Sequence, residues 1–181
     1  MAKSFDQRFV DHELAFDGKT VKGYFVKLRM DDGRVVDRDY FHYTGSAVIV
    51  PILDDGRIVL IRNTRFAVQE DLLELPAGRI DDGESAEAAA GRELTEETGY
   101  VAGRLEKLGE FYSAPGNADE TMPVYLATGL SEGRQELETY EKITLEPHTD
   151  REIRQMILSG EIHDAKTIAG LTLYWLREGT C

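Results

Sequence analysis

Apolar and polar positions alternate between residues 8 and 43, and the alternation breaks at Asp17-Gly18-Lys19 and again at Asp31-Asp32-Gly33-Arg34. A period of two marks strands with two unlike faces, and glycine-containing acidic turns mark the reversals between them, so this stretch predicts three strands. Three strands of this size have two faces to cover and little to cover them with, so they must pack on the rest of the chain or on a second copy. From Gly45 the pattern changes. Ala47-Val48-Ile49-Val50-Pro51-Ile52-Leu53 is nearly continuous apolar, as in a strand buried on both faces. Asp54-Asp55-Gly56 turns it back into Ile58-Val59-Leu60-Ile61, and a short strand is expected over 72–75. A helix follows over 85–98, with Ser85 as its N-cap and Gly99 just past its end. Further strands are predicted near 105–113, 122–128 and 141–146, and two helices near 149–159 and 164–177. Strands mixed with helices, without regular βαβ alternation, predict an α/β fold with a mixed sheet between helical layers. The expected division is a small antiparallel β annex over 1–44, suited to dimerisation, and a main domain over 45–181.

The helix over 85–98 carries its charge in an unusual place. Placed at 100° per residue, Glu93 and Glu97 fall on one side with Glu96 flanking them. Ala86, Ala89 and Ala90 share that side and Leu94 adjoins it, whereas an ordinary surface helix sets its acids opposite its apolar stripe. Like charges four apart destabilise a bare helix. A hard cation such as Mg²⁺ resolves the conflict, because it takes oxygen ligands and retains waters that a phosphate can replace. Glu84 and Arg92 have a more structural reading, an ion pair that pins the preceding loop to the helix. Gly91 in mid-helix costs about 1 kcal/mol relative to Ala, and no function accounts for it.

Composition narrows the partners. The 181 residues carry a net charge of −13, with 41% hydrophobic and 30% charged residues, which describes a globular chain rather than a basic nucleic-acid binder. No apolar run reaches the length of a membrane span, and Met1-Ala2-Lys3-Ser4-Phe5-Asp6 lacks the apolar core of a signal peptide. The single cysteine, Cys181, leaves no internal disulfide, which points to a cytoplasmic location. An acidic chain acting on a phosphorylated substrate needs divalent cations to invert its local field.

The stretch Gly78-Arg79-Ile80-Asp81-Asp82-Gly83-Glu84, followed by Arg92-Glu93-Leu94-Thr95-Glu96-Glu97-Thr98-Gly99, resembles the Nudix box, the signature of hydrolases acting on a nucleoside diphosphate linked to another group. Gly78, Glu84, Arg92, Glu93, Leu94, Glu96, Glu97 and Gly99 match it, while the final position, usually aliphatic, is Tyr100. Tyr112-Ser113-Ala114-Pro115-Gly116, with Glu120 after it, resembles the downstream proline motif of the ADP-ribose and nucleotide-sugar pyrophosphatases, and Pro115 lies 16 residues after Gly99, as in that subgroup. Glu74-Leu75-Pro76-Ala77-Gly78 and the segment Gly160-Glu161-Ile162-His163-Asp164-Ala165-Lys166-Thr167-Ile168 are also similar to the subgroup. The resemblance implies a Nudix-type α/β/α sandwich and a homodimer that shares the N-terminal annex.

It also implies roles. Glu93 and Glu97 become metal ligands, with Glu96 assisting and the Ala77 carbonyl completing a site for Mg²⁺ or Mn²⁺. Water would attack phosphorus in line, giving AMP and ribose 5-phosphate from ADP-ribose. Arg65 and Arg38 fall where phosphate-contacting arginines are expected, and Pro115, Gly116 and Glu120 where the substrate is bound; ordinary surface residues are the competing reading. For the general base Glu141 aligns best with respect to Ile143 and Glu138 comes second. Tyr24, Phe25, Tyr40 and Tyr43 are candidates to stack on the nucleotide base. The histidines, including His42, read as ordinary, and Trp175 as core. Two other functions stay open: hydrolysis of nucleoside triphosphates or dinucleoside polyphosphates, which the Pro115 motif opposes, and a module that senses ADP-ribose without cleaving it, which the intact acids oppose.

Overall fold

The computed structural model describes residues 8–137, 139 and 141–180. Its elements run β1 (Phe9–Asp17), β2 (Lys22–Arg29), β3 (Val35–His42), β4 (Ser46–Pro51), β5 (Ile58–Arg65), β6 (Glu70–Glu74), β7 (Ala77–Arg79), α1 (Ala86–Thr98), β8 (Tyr100–Val101), β9 (Arg104–Tyr112), β10 (Thr121–Thr128), β11 (Ser131–Glu132), β12 (Ile143–His148), α2 (Asp150–Ser159) and α3 (Ala165–Glu178). The long elements fall within a few residues of the sequence expectation. The short β7, β8 and β11 are additional. With two or three residues each they are too short to show a period, and they exist because a neighbouring strand pairs with them. No helix among the described residues is long and apolar enough to cross a membrane.

The chain forms two compact units. The first contains residues up to Thr44 together with Tyr112–Thr121. Its sheet is antiparallel in the order β1-β2-β3. The 112–121 segment is stitched to β3: Phe41 N–H donates to Asn117 O at 2.8 Å, and Asp119 N–H donates to Phe41 O at 3.2 Å. The Asp119 carboxylate accepts from Tyr40 Oη at 2.6 Å and from the Tyr43 amide at 3.0 Å, and meets His42 Nδ1 at 2.8 Å. This unit keeps large apolar side chains in solvent, among them Leu14, Phe16 and Phe25.

The second unit contains Gly45–Phe111 and the chain from Met122 onward. One sheet has the order β7-β4-β10-β9, with β4 parallel to β10 and antiparallel to β7; another has the order β12-β5-β6. β4 explains the layering. Its Ala47 and Ile49 pack with Ala89, Ala90 and Leu94 of α1, while Val48 and Val50 pack with Leu60, Leu75, Ile153, Leu171 and Trp175. A strand covered on both faces needs the unbroken apolar run seen in its sequence. The burial of Leu94 alone contributes roughly 2 kcal/mol. Trp175 is core, as its neighbours in sequence suggested; its indole N–H donates to Asp150, and the Arg154 guanidinium lies 4.0 Å from the ring centre.

Candidate active site

The site in the second unit begins with how α1 is held. Ser85 caps it by accepting from the Ala88 amide at 3.1 Å, and Gly99 ends it at φ 74°, a left-handed conformation that disfavours side chains. Docking Ala89, Ala90 and Leu94 against β4 fixes the rotation of the helix, and that rotation carries Glu97 inward to 3% exposure. Glu97 Oε2 accepts from the Ala77 amide of β7 at 2.9 Å. One turn earlier, Glu93 lies against Gly78. A Cβ on Gly78 would stand 2.0 Å from Glu93 Cδ, so glycine is required there for close approach.

Arg92 is the hub of the surrounding ion pairs. Nε and Nη2 bind the two Glu84 oxygens at 3.0 Å each, and Nη2 also donates to Arg79 O at 2.8 Å. Glu84 Oε2 accepts from the Asp81 amide at 3.1 Å, so this pair closes the loop onto the helix as its sequence position suggested. Arg92 Nη1 reaches Glu93 at 2.7 Å and Glu96 at 2.9 Å.

The electrostatics of the acids are those of a site short of positive charge. Burial pushes the Glu97 carboxyl up to about 8, reinforced by the charges of Glu93 and Glu141 and opposed by the Ala77 amide and Arg65. Burial likewise raises Glu93 despite Arg92, with Glu96 and Glu141 adding to the rise. Glu141, in the loop before β12, is therefore close enough to act on both. Glu138 lies outside the described residues.

These residues suit a divalent cation. The donors are carboxylate oxygens, two of the carboxyls are held where ionisation is costly without a counter-charge, and Gly78 leaves room for Glu93 against the β7 backbone. Among the described residues no three His, Cys, Asp or Glu side chains converge as a ready-made ligand set.

Arg65, at the end of β5, binds Glu74 through two parallel hydrogen bonds, Nε to Oε1 at 2.8 Å and Nη2 to Oε2 at 2.6 Å. Its field reaches Glu97. The remaining sequence candidates belong to the first unit. Arg38 lies exposed on β3 with Nη1 on Asp37 O at 2.8 Å. Pro115 and Gly116 are exposed, and a Cβ on Gly116 would meet nothing within 4 Å. Glu120 O accepts from the Ser113 amide at 3.2 Å. Of the aromatic candidates, Tyr24 and Tyr40 pack together with ring centres 5.8 Å apart, and Phe25 is 60% exposed.

Sequence reasoning passed over three side chains that organise these places. His42 is engaged by Asp119, and Asp119 itself drew no attention. Lys166 binds both Glu74 and Asp164. Glu74 and Lys166 each sat inside a singled-out motif, but their contact spans 92 residues and leaves no local trace.

An acid-bearing helix behind a glycine-led loop, packed on a mixed sheet, defines a class, and comparison with known proteins gives it a name. The NUDIX domain matches residues 42–165, and the chain belongs to the Nudix family of hydrolases. It is similar to the ADP-ribose pyrophosphatase of Bacillus subtilis (strain 168), 33% identical over 97% of this chain and 96% of that protein. It is also similar to the ADP-ribose pyrophosphatase of Mycobacterium tuberculosis (strain ATCC 25618 / H37Rv), 38% identical over 80% of this chain and 72% of that one. A crystal structure of an ADP compounds hydrolase superposes with a TM-score of 0.81 at 25% identity, covering 96% of each chain.

Proposed function

We propose that this chain hydrolyses the pyrophosphate bond of ADP-ribose or a related nucleoside diphosphate sugar, releasing AMP, or the corresponding nucleoside monophosphate, and a sugar phosphate. The observation that carries the reading is the placement of Glu93 and Glu97 in one largely buried place, where burial and the nearby charge of Glu141 raise both carboxyls. The similar proteins named ADP-ribose pyrophosphatase support the substrate class.

In this reading Glu93 and Glu97 hold Mg²⁺, for which Mn²⁺ substitutes, with help from Glu96 and the Ala77 carbonyl. When bound, the cation neutralises the pyrophosphate and lowers the pKa of the attacking water. Arg65 and Arg38 bind phosphate oxygens, for which guanidinium geometry is suited. Pro115, Gly116 and Glu120 contact the substrate. Glu141 takes the proton as the water oxygen bonds to phosphorus, and the bridging P–O bond breaks with its electrons passing to the departing phosphate. Glu138 is the second candidate for that proton. The protein acts as a cytoplasmic homodimer without nucleic-acid or membrane partners, and the solvent-facing Leu14, Phe16 and Phe25 of the first unit support association. Light scattering at twice the 20.3 kDa chain mass is the expected result, and a monomer would refute the dimer.

The deciding assay couples product release to a phosphatase, with Mg²⁺, across ADP-ribose, GDP-mannose, dinucleoside polyphosphates and nucleoside triphosphates. Preference for a diphosphate sugar, abolished by chelation, is expected. Preference for triphosphates would overturn the substrate class, and binding of ADP-ribose without turnover would replace the enzyme with a sensor.

A further inference from the structure

Glu74 is wholly buried, yet it carries two cations. Arg65 grips it with the bidentate pair described above, and Lys166 Nζ donates to the same Oε2 that accepts from Arg65 Nη2. Lys166 is itself only 13% exposed in its side chain, and its Nζ donates a second bond, at 3.0 Å, to Asp164 Oδ2. Asp164 is the N-cap of α3 and also accepts from the Thr167 amide at 2.9 Å and the Thr167 hydroxyl at 2.6 Å. Thr167 Oγ1 in turn accepts from the Leu75 amide at 2.8 Å. The network thus leaves the side chain of Glu74, passes through α3, and returns to the backbone of the next residue.

Two consequences follow from charge and geometry. A carboxylate shared by two cations is held by both, so Lys166 restrains the same Glu74 oxygen to which Arg65 Nη2 is bound. Asp164 balances Lys166 in turn, so the four groups are neutral together and their burial is tolerable. The hydrogen bonds also fix the guanidinium plane, since Nε and Nη2 are both committed to Glu74. The side chain of Arg65 remains 38% exposed while Glu74 is at 0%, so Arg65 is the most exposed member of the network, ahead of Asp164 at 17% and Lys166 at 13%.

We propose that Lys166 is a positioning residue for substrate phosphate: by sharing the Glu74 carboxylate it fixes the orientation in which Arg65 meets the diphosphate. The inference rests on the reading of Arg65 as a phosphate contact, and Lys166 itself touches no substrate.

The test is a double-mutant cycle on the full-length protein with Lys166→Gln and Arg65→Gln, read as KM and kcat for the best diphosphate sugar and as Kd for ADP by calorimetry. Lys166→Gln removes the charge and is one bond shorter, so it loosens the hold on Glu74 and Asp164 at the same time. KM and Kd are expected to rise about tenfold, the scale of one charge-assisted hydrogen bond, with kcat within about threefold. Lys166→Arg is expected to restore both constants. In the Arg65→Gln background the same lysine change is expected to leave KM and Kd unmoved. An equal loss in both backgrounds, a loss confined to kcat, or no change would overturn the proposal. If Lys166→Gln fails to fold, Lys166→Met, which keeps most of the length of the side chain without its charge, carries the same cycle, and a Kd shift independent of Arg65 overturns the proposal. A protein that turns over none of the diphosphate sugars would refute the proposed function, while the ADP affinities would still decide the coupling.

Discussion

Replacing Glu97 by glutamine separates the electrostatic role of this residue from its packing. The Glu97 carboxyl is 3% exposed, and burial lifts it from an ordinary 4.5 to about 8. In metal-free protein it is therefore mostly protonated at pH 7, and glutamine is nearly isosteric with that form. The amide oxygen of Gln can accept from the Ala77 N–H in place of Oε2, so the hydrogen bond at 2.9 Å is retained. The sign of the pH effect follows from proton counts. Between 4.5 and 8 the unfolded chain has lost the Glu97 proton and the folded chain has kept it, so stability is fully present below 4.5 and falls as pH rises toward 8. At about 1.4 kcal/mol per pH unit this comes to about 5 kcal/mol as an upper value. Urea unfolding in EDTA from pH 5 to 9 measures it. Glu97→Gln is expected to match wild type within about 1 kcal/mol at pH 5 and to be the more stable protein at pH 9, by several kcal/mol at most. With Mg²⁺ the wild type is expected to regain stability at high pH and the variant to gain little, with turnover reduced by about 100-fold or more. Equal pH slopes in the two proteins would refute the buried-carboxyl argument. Unchanged turnover would refute the assignment of Glu97 as a metal ligand.

Three further outcomes follow from the geometry. Gly78→Ala puts a Cβ 2.0 Å from Glu93 Cδ, and because the obstructed group is the end of a mobile side chain, thermal stability should change by no more than about 1 kcal/mol while activity falls at least about tenfold; a large loss of stability with normal specific activity would contradict this. Gly91→Ala meets only Leu105 Cδ1, at 3.5 Å, so it should stabilise the protein by about 1 kcal/mol with kcat unchanged, and destabilisation in a thermal melt would show a packing demand at that site. Glu141→Gln should lower kcat by about 100-fold or more with little change in Mg²⁺ affinity if Glu141 is the base; a wild-type kcat would pass that role to Glu138.

What the sequence determined by itself concerns short range. Ser85 and Gly99 bracket α1, Asp54-Asp55-Gly56 turns β4 toward β5, and the spacing of Glu93 and Glu97 sets them on one side of a helix, because caps, turns and periodicity depend on residues within about four positions. The box of motif residues around that helix likewise sufficed to name the family, and the apolar run over 47–53 sufficed to announce a strand covered on both faces. Tertiary structure decided everything that requires distant segments to meet. β7 has no period of its own and forms only because β4 pairs with it, yet it brings the Ala77 amide to Glu97 and Gly78 under Glu93. Asp119 finds Tyr40 across 79 residues, and Lys166 finds Glu74 across 92. The raised Glu97 carboxyl belongs to the same class, since desolvation is a property of what surrounds a group in space. A sequence lists the charges, and only the fold decides which of them lose their water and which cation must compensate.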